Sequence, residues 1–293
     1  MDQDALEPAG SREQGAGSAS APSPRSSLLA PRSLLSAHPW LPFVLPLLVY
    51  MLVGSLEPGP PEPVPERFRD AAGPIAESGG DMSLASRLGI RYRHYPLVYT
   101  AKIAATIAAM LYVLPGYRQF AWRISPLALG VGVVGVVLWI VLCHWQIERR
   151  LLEPLGLASF LGLGQRPAYN PLDQLADAPA WAYTFLAIRF AGLALVVPII
   201  EEFFLRGFLM RFVVSDRWWE IPFGTITPLA AVVGTAFPML MHPAELLAAA
   251  VWFSLVTWLM ARTRNIWDCV AAHAVTNLLL GIYVVTYGRW QLW

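Results

Sequence analysis

The chain has 293 residues, a net charge of +1, 56% hydrophobic and 14% charged residues, and a mean hydropathy of +0.49. Ordinary soluble domains carry about 25% charged residues, so this composition excludes a soluble globular domain and a disordered chain. Near-neutral charge gives no bulk attraction to nucleic acid. The two cysteines, Cys143 and Cys269, lie in apolar runs and form no CxxC pair, which argues against a disulfide framework or a thiolate metal site. What remains is a polytopic membrane protein.

In chain order, residues 1–38 are rich in Ser, Ala, Pro and Gly and lack apolar periodicity, so they read as a disordered tail. They do not read as a signal peptide, because the first long apolar run begins only near Trp40. Seven apolar segments follow, at about 40–56, 97–115, 126–147, 180–213, 227–242, 244–261 and 266–286. A membrane span needs about 20 apolar residues. The first three segments each fit a single span. The fourth is too long for one perpendicular span and holds Pro198, so it is expected to be kinked, tilted or extended beyond the bilayer. The fifth is short, with Pro238 and Pro243, and reads as an incomplete helix tolerated inside a bundle. A Pro-rich loop, 57–96, separates the first two segments, and a second long link covers 148–179. The fold class is therefore all-α, a polytopic transmembrane helix bundle with about seven or eight membrane helices. It divides into N-terminal membrane helices over 39–179 and a helical core over 180–293. With the N-terminus inside, the arginines tie between the two sides of the membrane. The second half alone favours Arg211, Arg217, Arg262 and Arg264 on the cytoplasmic side.

Ionisable residues inside a span cost about 2.5–3.5 kcal/mol on insertion scales and point to function. They gather in the C-terminal half: Arg189, Glu201, Glu202, Arg206, His242, Asp268 and His273, joined by Asn277. On a helix, Glu202 and Arg206 are i and i+4 and can pair. Glu201 points about 100° away, so one Arg cannot serve both carboxylates equally. One Glu is neutralised and the other is left for general-base work. A purely structural role for both in locking helices together is the competing reading. His273 and Asn277 are again i and i+4, two N–H donors on one face, as oxyanion stabilisation requires. An interhelical hydrogen bond is the plainer alternative. His242, at the end of the fifth segment, becomes informative only if it stands beside Glu201. Asp268 has no evident partner carboxylate.

No HExxH, GxGD or GxSxG signature and no phosphate-cradling glycine loop is present. Two His, one Asn and two Glu offer metal donors, but their spacing matches no standard site, so neither metal nor cofactor is expected.

Glu201-Glu202-Phe203-Phe204-Leu205-Arg206 matches the EExxxR motif, and His273-Ala274-Val275-Thr276-Asn277 the HxxxN motif, of the CPBP family of intramembrane glutamic endopeptidases, the CAAX prenyl protease type II or Abi family. The family's intervening FxxxH motif is altered: Phe237 precedes His242 by five positions and Pro238 stands at the expected Phe. The resemblance covers about 180–290. The whole chain is also similar to the CAAX protease-related proteins that accompany bacterial exosortase systems. The shared features are Tyr95-Pro96-Leu97, Asn170-Pro171, Val196-Val197-Pro198 and Trp267-Asp268-Cys269. The resemblance implies a helical bundle with an intramembrane cavity, in the inner membrane. Glu201 resembles the base that activates water, assisted by His242. His273 and Asn277 resemble the oxyanion pair, and Glu202 with Arg206 the ion pair that positions Glu201. It implies a membrane-embedded or lipidated peptide substrate cleaved without metal or cofactor. The prenylated substrate of the eukaryotic members is not carried over. A non-catalytic scaffold or bacteriocin-immunity-type protein on the same fold is the alternative. A transporter is disfavoured because no inverted repeat is visible.

Overall fold

The computed structural model describes residues 35, 37–59, 84–156 and 168–293. The expected N-terminal tail falls almost wholly outside the described residues, as does most of the Pro-rich loop. All regular structure among the described residues is helical.

The described residues form seven principal helices: α1 (Leu41–Gly54), α2 (Tyr95–Tyr117), α3 (Pro126–Trp145), α4 (Pro179–Phe212), α5 (Pro228–Met241), α6 (Leu246–Thr263) and α7 (Ile266–Tyr287). Each matches one apolar segment of the sequence. Start signals are local. Ser125, Thr227 and Asn265 cap the N-termini of α3, α5 and α7, each accepting from a backbone N–H two or three residues on. Pro occupies the first turn of α1 to α5, where its missing N–H costs nothing.

Five stretches are long and apolar enough to cross a membrane: α2, α3, α4, α6 and α7 with their flanking turns. The protein is thus a multi-pass membrane protein. Helix α5 is short, as the two prolines suggest. Helix α1, expected to span singly, is also only 14 residues long, about 21 Å at 1.5 Å per residue against a hydrocarbon core of about 30 Å. Leu111, Val137, Leu195, Leu240 and Ile282 face outward, an apolar surface suited to lipid.

Helix α7 packs chiefly against α3, α1 against α2, and α6 against both α5 and α3. The α3–α7 approach depends on small residues, as in other membrane helix pairs. A Cβ at Gly132 would stand 2.7 Å from the Ala272 carbonyl oxygen. One at Gly135 would stand 2.1 Å from the Trp252 ring. The Thr276 hydroxyl uses this closeness to donate to the Gly132 carbonyl at 2.9 Å.

Helix α4 is not broken at Pro198. It is continuous, with two wider π turns, Gly192–Val196 and Phe203–Leu209. In the first, the Val197 N–H reaches back five residues to the Gly192 carbonyl. The Leu193 carbonyl then needs a donor from residue 198, which is proline and has none.

Candidate active site

The two glutamates stand where α4 crosses α7. Glu202 and Arg206 pair at 2.7 Å, both fully buried, and Arg206 also donates to the Phe253 carbonyl of α6 at 3.3 Å. The Glu202 carboxylate further accepts from His273 Nδ1 at 2.9 Å. Glu202 is therefore shared by a guanidinium and an imidazole, a larger cluster than a simple ion pair. Glu201 turns away, as the 100° offset requires, and its side chain is 28% exposed. Its carboxylate lies 3.9 Å from His273 Nε2, too long for a hydrogen bond.

Glu201, His242, His273 and Asn277 all line one cavity of about 260 Å³. Its walls are largely apolar and aromatic, including Tyr50, Trp139, Trp252, Phe253 and Trp293. His242 is oriented locally. Its own N–H bonds Met239, so the Pro238 carbonyl is left to accept from His242 Nδ1 at 2.9 Å. A carbonyl only accepts, so Nδ1 carries the proton and Nε2 is the acceptor of the neutral ring. The ring stands edge-on to Trp139, centroids 5.7 Å apart. The altered aromatic spacing places Phe237 against Phe204 instead.

Two residues left without partners by the sequence acquire them. Asn277 Nδ2 donates at 2.8 Å to the Leu193 carbonyl, the group orphaned by Pro198. One of its two N–H groups is thereby committed. Asp268 caps α3 by accepting from the Ser125 N–H at 2.7 Å. Arg189, also intramembrane, donates to the Tyr169 and Trp293 carbonyls, both at 2.8 Å, and lies under the Trp293 ring. Arg211 donates to the carbonyls of Gly207, Trp219 and Ile221, tying the end of α4 to the turn that follows it.

Sequence reasoning missed Lys102, a buried cation in α2 that pairs with Glu57 at 2.5 Å. It also missed the aromatic chamber wall. A solitary lysine in an apolar run was visible, but nothing local indicated what it faced.

Two further hollows adjoin the chamber. An apolar cleft shares Glu201, Met241, His242 and Phe253 with it and is otherwise walled by residues of α1, α4 and α5. A polar hollow with Arg149, Arg289, Glu148 and Glu245 shares Leu292. No group of three or more His, Cys, Asp or Glu side chains able to hold a metal occurs among the described residues.

One protein-family model matches residues 183–279, about a third of the chain: type II CAAX prenyl endopeptidase Rce1-like. The matched region runs from α4 to α7 and contains every motif residue of the chamber. No curated protein and no solved structure matches the chain.

Proposed function

We propose that this membrane protein, whose residues 183–279 match the type II CAAX prenyl endopeptidase Rce1-like family model, hydrolyses peptide bonds with a glutamate-activated water and no metal. The supporting observation is the division of labour between adjacent carboxylates. Glu202 is saturated by Arg206 and His273, while Glu201 faces the chamber beside His242, His273 and Asn277.

In the proposed reaction Glu201 removes a proton from water, with the His242 Nε2 lone pair helping to orient that water. The hydroxide oxygen adds to the carbonyl carbon, and negative charge moves to the carbonyl oxygen. The free N–H of Asn277 stabilises that charge, and so does His273 Nε2 when its ring is protonated. Collapse breaks the C–N bond. The proton held by Glu201 passes to the leaving nitrogen, so the carboxylate is regenerated. Glu202 and Arg206 hold Glu201 in place. The apolar cleft supports a membrane-embedded or lipid-bearing peptide as substrate, because an apolar chain can reach Glu201 without crossing a polar barrier. The setting that accompanies this reading is a bacterial inner membrane, with a link to protein sorting.

The test is cleavage of a library of internally quenched peptides, with and without an N- or C-terminal lipid, by purified protein in proteoliposomes. Glu201→Gln keeps the shape and removes the base. It should lower kcat by several orders of magnitude and leave thermal unfolding unchanged. Near-normal cleavage by this variant removes Glu201 as the base.

A further inference from the structure

We propose that the Tyr50 phenol of α1 is a further hydrogen-bond donor to the substrate's carbonyl oxygen, held in place by the buried Lys102–Glu57 pair; this rests on the peptidase reading above. Tyr50 lies outside the region matched by the family model, yet its side chain lines the same chamber as Glu201, His273 and Asn277. Its hydroxyl makes no hydrogen bond to any described residue. The Trp139 and Trp293 indole N–H groups of the chamber wall are unpaired as well, but both are fully buried and so turned away from its space. Asn277 spends one N–H on Leu193. His273 places Nδ1 on Glu202, so in its neutral form Nε2 carries a lone pair and accepts. With that ring neutral, an oxyanion formed beside Glu201 has the remaining Asn277 N–H, and the phenol supplies the next donor; a protonated His273 ring adds Nε2 to the same set.

The ring itself is anchored. Lys102 Nζ lies 4.2 Å from the Tyr50 centroid and 4.5 Å from that of Tyr99, within cation–π range of both. Glu57, just past the end of α1, neutralises the same ammonium at 2.5 Å. A buried lysine is costly in a membrane. Gripping α1 at two points, ring and carboxylate, gives it a positional role that the hydrolytic steps do not otherwise require. Lys102 and Glu57 are positioning residues and Tyr50 is the group that touches substrate.

The experiment compares wild type with Tyr50→Phe, which keeps the ring and its contact with Lys102. The probes are N-acylated peptide trifluoromethyl ketones, whose hydrate presents the tetrahedral oxygen. Matched analogues carry CH₂ in place of the carbonyl. Binding is measured calorimetrically on the full chain in detergent. The expected result is ketone affinity about tenfold weaker in Tyr50→Phe, as for loss of one hydrogen bond, with the CH₂ analogue unchanged. The double variant Lys102→Met/Glu57→Gln should lose part of the same discrimination. Equal ketone binding by wild type and Tyr50→Phe overturns the proposal. So does equal loss of ketone and CH₂ analogue, or a wild type that prefers no ketone. Tyr50-dependent ketone binding without Glu201-dependent cleavage retains the donor and removes the peptidase reading. Cleavage with Tyr50-independent ketone binding does the reverse.

Discussion

Arg206 satisfies a carboxylate on its own helix and a carbonyl on α6 from a site with no exposure. Removing one partner of such a pair strands the other charge in an apolar medium, at about 3–5 kcal/mol. Arg206→Ala should therefore melt far below Glu201→Gln in the same detergent; equal melting curves would deny Glu202 and Arg206 their structural role. Asn277 has a double duty in the proposed reaction. Its Nδ2 must face Leu193, because the carbonyl there can only accept. Asn277→Ala leaves that carbonyl unpaired, costing about 1–3 kcal/mol, and lowers kcat about 10²–10³-fold if the second N–H meets the oxyanion. Asn277→Asp should be worse on both measures, since it sets oxygen against oxygen; single-turnover rates and melting of the two variants decide this. The Glu202–Arg206 contact was legible in advance because i,i+4 spacing fixes it within one helix. The Asn277–Leu193 contact was not, because its partners are 84 residues apart and the acceptor is a backbone group that any residue type carries.

Among elements, α3 and α7 show how composition becomes geometry. Gly132 and Gly135 admit α7 and the Trp252 ring to distances that a Cβ would forbid, while Gly130 on the same helix has nothing within 4 Å of an added Cβ. Gly135→Ala should destabilise by about 1–3 kcal/mol, the usual range for overpacking, and displace a wall of the chamber. Gly130→Ala should be neutral or slightly stabilising, as glycine is a poor helix residue. Thermal unfolding of the pair separates packing from propensity. Helix α4 carries a subtler lesson. Pro198 and the segment's length predict a kink, a tilt or an extension beyond the bilayer; the 34-residue helix is continuous, a π turn adjoins the proline, and the orphaned carbonyl is repaired from α7. Proline announces a defect in the hydrogen-bond ladder; which neighbour mends it depends on packing.

At the scale of the whole molecule, catalysis in the proposed form draws every charge it needs from side chains. Cleavage should therefore persist after exhaustive chelation. Activity lost to chelator and restored by Zn²⁺ would replace the glutamate-only mechanism with a metal-assisted one. The sequence by itself determined the all-helical membrane class, the seven apolar elements and the Glu202–Arg206 pairing, because hydropathy and helical periodicity act over neighbouring residues. It also placed Glu201, His242, His273 and Asn277 on candidate elements, though not at any distance from one another. Only the tertiary structure decided that these four line one chamber, that Glu202 also takes His273, that Asp268 caps α3, and that Tyr50 of the first helix joins the chamber wall with Lys102 of the second against its ring. Those contacts join residues far apart in the chain, and they exist only once small residues and aromatic rings have set how closely the helices approach.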